Sequence, residues 1–197
     1  EFDDGFAIVK MRPPQETIGF TLDGAQLPTA RTTVTTPEAP DLQALLAYLV
    51  EHGADAVRWY FYIGSMPWLP SRFSAEAVSE AQRKFIGTFW NTYCFYVLYA
   101  EIDKFDPTQY RLADCQLSEM DRWVLSRLNT LIKTVDGHLD KLRITEGGRA
   151  LQAFSEELSN WYVRLNRKRF WGGGMTQDKL SAFQTLYTCL ETVAKLD

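Results

Sequence analysis

From Ser74 onward, apolar side chains return every three or four residues in four successive runs, and few folds accept that spacing. The first run is Val78, Ala81, Phe85, Phe89, Thr92, Tyr96 and Tyr99, one continuous face of a helix expected over residues 74–103, with Pro107 soon after its end. A second helix is expected to open at Ser118, with Asp121 three places on in the capping-box position. Its stripe is read as Trp123, Leu125, Leu128, Leu131, Ile132 and Val135. A third covers residues 145–171, with Leu151, Phe154, Leu158, Trp161, Tyr162 and Leu165 inward. A fourth begins near Thr176 and carries Leu180, Phe183, Leu186, Tyr187, Leu190 and Val193. Long amphipathic helices with short links predict a mainly all-α fold, an antiparallel helical bundle over residues 74–197. The last helix reaches Asp197 without a stop signal, which reads as a chain cut from something longer.

The stretch before the bundle reads differently. Five of the eight prolines lie before Asp41, so residues 1–40 are expected to form a short strand and linker segment. "FAIVKM" and "TIGFTLDG" look like strands, Asp23-Gly24 is a turn signal, and "TARTTVTTPEAP" reads as extended chain. Residues 41–73 are read as connecting helices. Asp41 is an N-cap candidate, Gly53 a glycine stop, "ADAVRWYFYIG" a short helix, and "SMPWLPSRF" a loop broken by Pro67 and Pro70.

Little in this sequence points to catalysis. No nucleophile elbow or phosphate loop occurs, and the glycine run Gly172-Gly173-Gly174 follows a helix, where it reads as a stop. Glu146-Gly147-Gly148 lacks a preceding strand and a lysine. Glu101, Asp103, Glu156 and Glu157 read as solvated helix faces, and His52 and His138 as helix-end residues. Cys94, Cys115 and Cys189 are far apart and are expected to be free, mostly buried thiols. With two histidines, no metal site is expected. No signal peptide or membrane span is visible, so a cytoplasmic monomer is expected.

One segment stands out against the net charge of −4. "LSNWYVRLNRKRFWGGG", residues 158–174, places four cations among aromatic side chains. On a helix Arg164, Lys168 and Trp171 share a face, Arg167 flanks it, Arg169 lies to one side, and Asn160 adds an amide. Guanidinium forks suit phosphates and aromatic rings suit unpaired bases, so the segment is a candidate RNA contact; the ordinary alternative is a solvated face with its stems laid over the bundle. No DNA partner is expected.

The same words, "LSNWYVRLNRKRFWG", closely resemble a segment of isoleucyl-tRNA synthetases, in their anticodon-binding helical domain. "GADAVRWYFYIGSMPWLPSRFS", "RKFIGTFWNTYCFYVLYAEIDKFDP" and "SEMDRWVLSRLNTLIK" are similar to the stretches of that family that leave the catalytic domain and enter the bundle. The resemblance implies a class I aminoacyl-tRNA synthetase bundle that holds the anticodon arm of isoleucine tRNA. It implies Asn160, Arg164, Arg167, Lys168, Arg169 and Trp171 as tRNA-binding residues. In the family, ATP and magnesium serve a catalytic domain with HIGH and KMSKS motifs. Neither motif occurs in this sequence, so no catalytic residue and no cofactor are assigned here, and amino-acid activation is not expected of this chain alone. A second reading is a non-catalytic protein-interaction bundle. The two readings part at the cations. Free cations along residues 160–171 favour RNA, and cations paired with Glu156, Glu157 or Asp178 favour a protein partner or none.

Overall fold

The computed structural model describes residues 53–65 and 74–196. The expected strands and linker before Asp41, the helix from Asp41 to Gly53, His52 and the proline loop at 66–73 fall outside the described residues. The chain divides into two compact units between Gln82 and Arg83.

In the first unit, Gly53 takes a φ of 84° immediately before helix α1, Ala54–Ile63, a region open to glycine without steric cost. Helix α1 buries Ala56, Val57, Trp59 and Tyr60, and Gly64 ends it by donating to the Tyr60 carbonyl at 2.9 Å. Helix α2, Ala75–Gln82, starts where the Ser74 hydroxyl accepts from the Ala77 amide at 3.2 Å, and it buries Val78 and Ala81.

The second unit opens on a π-helical turn, Arg83–Gly87, and continues as α3, Thr88–Asp103. The chain leaves α3 through Lys104, whose φ of 53° lets the Phe105 amide reach the Ala100 carbonyl at 2.8 Å. Short 3-10 turns at Pro107–Gln109 and Leu112–Asp114 lead to α4, Glu119–Leu139. The expected capping box is present: the Asp121 amide donates to Ser118 Oγ at 3.2 Å and the Ser118 amide donates back to Asp121 Oδ2 at 2.9 Å. Helix α5, Ile144–Glu157, runs through a π-helical segment, Leu158–Val163, into α6, Arg164–Trp171. Gly172 and Gly174, the latter at φ 77°, end α6 as expected. Helix α7, Gln177–Leu196, begins under a Thr176 hydroxyl that accepts from the Lys179 amide at 3.1 Å.

Cross-helix contacts give the directions. Arg127 with Glu157, and Asp121 with Tyr162, run α4 antiparallel to α5–α6. Arg169 with Asp178, and Tyr162 with the Ala182 carbonyl, turn α7 back along α6. Asp103 with Lys179, and Tyr96 with Phe183, set α3 antiparallel to α7. This is the helical bundle read from the spacing, and there is no strand among the described residues.

The core gathers on α7, which buries every residue from Ser181 to Leu186. Phe183 meets Phe105, Phe170 and Tyr96 at ring-centroid distances of 5.0, 5.1 and 6.0 Å. Such edge and offset contacts add about 0.5–1.5 kcal/mol each beyond area burial. Helix α7 is enclosed on more than one side, so Ala182 and Cys189 are buried while the expected Leu180 and Tyr187 are half-buried.

Three side-chain expectations need correction. The buried stripe of α4 is Asp121, Val124, Leu128, Leu131 and Val135; Trp123 and Leu125 are half-buried and Ile132 is exposed. The stripe starts from Asp121, which the sequence reading had assigned only a capping role. Second, Trp161 and Leu165 face outward, at 59% and 60% exposure. The π-helical segment widens the turn, which shifts the buried face to Leu158, Tyr162, Asn166 and Phe170, at intervals of four. Third, Asp103 is not a solvated carboxylate: it lies 2.5 Å from Nζ of the buried Lys179. Of the cysteines, all free, Cys94 is exposed, Cys115 half-buried and Cys189 buried. Burial and the nearby Asp121 push the Cys189 thiol up to about 12, so it stays neutral.

Candidate nucleic-acid interface

The basic segment spans the π-helical segment Leu158–Val163, all of α6 and the three glycines that follow. Its inward side is Leu158, Tyr162, Val163, Asn166 and Phe170. Phe170 is wholly buried against Phe95 and Phe183, at 5.3 and 5.1 Å between centroids. Burying a Phe of this size contributes about 1.5–3 kcal/mol, so hydrophobic packing helps to hold this side down.

The outward side is what packing leaves over. Asn160, Arg164, Arg167, Lys168 and Trp171 are exposed, together with Trp161 and Leu165. Five of the six residues singled out by sequence therefore share one surface. Arg164, Arg167 and Lys168 have no carboxylate partner among the described residues. The three acids named above have other partners: Glu157 accepts from Arg127 Nε and Nη2 at 2.8 and 2.7 Å, Glu156 accepts from Gln152 Nε2 at 3.3 Å, and Asp178 pairs with Arg169. Three unpaired cations beside two half-exposed indoles make a surface suited to phosphates flanked by accessible base faces.

Arg169 stands apart from the other five. Its side chain is 14% exposed and turns inward. Nη1 and Nη2 each donate at 2.8 Å to the two oxygens of Asp121, a fork on a fork. Nε donates to Asp178 Oδ2 at 2.9 Å. Asp121 is fully buried and also accepts from Tyr162 Oη at 2.6 Å and Ser118 Oγ at 2.8 Å. Burial pushes the Asp121 carboxyl up, but the hydrogen bonds from Arg169, Tyr162 and Ser118 outweigh it and hold the group below the usual carboxylate range. Burial likewise lowers the Arg169 pKa, and its two carboxylate partners more than reverse this. Burial beside Asp121 keeps the Tyr162 phenol protonated, well above its ordinary value.

Sequence reasoning missed Asp121 and Lys179 as parts of this region. Lys179 is buried, donates to the Gly172 carbonyl at 2.7 Å at the end of α6, and lies 5.8 Å from the Phe183 ring centre. The only available signal was a lysine in the first turn of a helix, on the same face as Ala182 and Phe183. Among the described residues no helix is long and apolar enough to cross a membrane, and no group of three or more His, Cys, Asp or Glu side chains is placed to hold a metal ion.

Known proteins agree with this architecture. Residues 121–196 match the family model of the anticodon-binding domain of tRNA ligase. The chain is 55% identical over 148 residues to the isoleucine–tRNA ligase of Clostridium novyi, covering 75% of this chain and 14% of that protein. It is 54% identical over 147 residues to the isoleucine–tRNA ligase of Bacteroides fragilis, covering 74% and 13%. The Porphyromonas gingivalis isoleucine–tRNA ligase is 52% identical over 147 residues, covering 74% and 13%. The chain thus spans only about one seventh of the length of the curated relatives it matches.

Proposed function

We propose that this chain, whose residues 121–196 match the anticodon-binding domain of tRNA ligase, binds the anticodon arm of an isoleucine-accepting tRNA. The observation that carries the reading is the outward set Arg164, Arg167 and Lys168, unpaired by any carboxylate among the described residues and flanked by Asn160 and Trp171. Arginine forks grip phosphates, and an indole offers a stacking surface to an unpaired base. The isoleucine specificity rests on the names of the relatives. The contribution is binding and orientation, made in the cytoplasm by a monomer. ATP-dependent charging with isoleucine, and the magnesium it uses, belong to the remainder of such an enzyme, and these residues hold no cofactor.

Filter binding with an isoleucine tRNA transcript tests this. Arg164→Ala with Arg167→Ala should weaken binding and reduce the slope of log K against log salt by about 0.7–0.9 per lost phosphate contact. Unchanged affinity and slope in the double variant would remove these residues from the interface. Pairing of these cations with Glu156, Glu157 or Asp178 would have favoured the protein-interaction reading; Asp178 does pair with Arg169, but Arg164, Arg167 and Lys168 pair with none of the three.

A further inference from the structure

Arg169 belongs by sequence to the basic run, yet every nitrogen of its guanidinium is hydrogen-bonded within the protein. Nε is bound to Asp178 Oδ2, Nη1 to Asp121 Oδ1 and, at 3.2 Å, Asn166 Oδ1, and Nη2 to Asp121 Oδ2 and the Asp178 carbonyl. No donor is left pointing outward for a phosphate. Three residues on, the same helix is held again, by Lys179 Nζ on the Gly172 carbonyl at 2.7 Å. One turn earlier Asn166 Nδ2 donates to the Tyr162 carbonyl at 2.7 Å.

These contacts matter because α6 is the last stretch of a helix that runs on from α5 through the π-helical segment Leu158–Val163. The wider π-helical turns set its phase apart from that of α5, and that phase is held by the side chains that pin it to α4 and α7. Successive residues of a helix are about 100° apart, so a pinned Arg169 dictates where Arg164, Arg167, Lys168 and Trp171 point. Apolar packing of Phe170 would tolerate small rotations, whereas a two-point fork on a buried carboxylate would not.

We propose that Arg169 is a positioning residue for RNA binding and not a phosphate ligand: held by Asp121 and Asp178, it fixes the face on which Arg164, Arg167 and Lys168 stand. This rests on the RNA-binding reading above. Supporting residues of this kind alter affinity without touching the ligand.

The test uses the whole chain and an isoleucine tRNA transcript, titrated between about 50 and 200 mM salt. A residue that meets phosphate only as a point charge tolerates lysine, which supplies the same charge. A positioning residue does not, because an ammonium cannot fork across Asp121 and still reach Asp178. Arg169→Lys is therefore expected to weaken binding by about three- to tenfold with an unchanged salt slope. Asp178→Asn separates the roles by sign. Removing an acid should tighten binding if Arg169 is a ligand restrained by Asp178, and should weaken it if Asp178 steadies a positioning residue. Wild-type affinity in Arg169→Lys, or tighter binding in Asp178→Asn, would overturn the proposal. Amide hydrogen exchange tests it without RNA. Residues 164–172 should exchange faster in Arg169→Lys while α4 and α7 keep their protection. Equal protection of residues 164–172 in both proteins would overturn it. If the wild-type chain fails to bind the transcript, the interface reading falls, and the exchange result still decides whether Arg169 pins α6.

Discussion

Taking a carboxylate out of water costs several kcal/mol, and Asp121 is fully buried. Five donors offset that cost: the Ser118 amide and hydroxyl, the Tyr162 phenol and both terminal nitrogens of Arg169. Removing the charge while keeping the shape leaves Arg169 as a buried cation with one partner fewer. Asp121→Asn should therefore cost about 3 kcal/mol at neutral pH. Because the folded pKa is depressed, the stabilisation is fully present above the unfolded carboxylate value of about 4. It is lost as pH falls through the lower folded value. Urea melts at a series of pH values should show wild type and Asp121→Asn converging as the solution is acidified, and a constant gap would contradict the linkage. The capping role of Asp121 was legible, since Ser118 and Asp121 stand at capping-box spacing. Its role as the anion under Arg169 was not legible, because nothing local marks a pairing across 48 residues.

Helices were the most legible level. Apolar spacing placed α4, α7, the α5–α6 run and the helical run from Ala75 to Asp103, which comprises α2, a π-helical turn and α3, close to their observed bounds, and Gly172 marked a stop. What the spacing could not convey is the π-helical segment Leu158–Val163. A run of apolar and polar residues extrapolated at the α-helical period puts Trp161 and Leu165 inside, and the wider turn puts them outside. That shift is selected by distant contacts, chiefly Tyr162 on Asp121 and Phe170 on Phe183. Deleting Ser159 should remove the extra residue and turn the following helix by about 100°. Arg169 would then swing away from Asp121, and a loss of about 3–5 kcal/mol is expected in thermal or urea melts. Full stability in the deletion variant would mean that the segment does not set the phase of α6.

At the scale of the whole molecule, the second unit is organised so that sequence-distant charges meet beside a helix near the middle of the bundle. Net acidity was no guide to that local basic face, whereas the resemblance of several separate stretches was, because it reflects a whole bundle and not one motif. The unit also has a kinetic side. The α4–α5 turn joins neighbours in the chain and can form early, but Asp121 and Arg169 lie 48 residues apart, so the chain must close a long loop before they pair. Their fork should be absent at the folding barrier. Stopped-flow measurements on Asp121→Asn should then show unfolding faster by roughly a hundredfold and folding changed by less than about twofold. A matching slowdown in folding would place the fork inside the nucleus. If it forms late, the fork acts as a latch on the native state: it does little to help the chain arrive, and it governs how long the arginine face, once assembled, survives before the bundle opens.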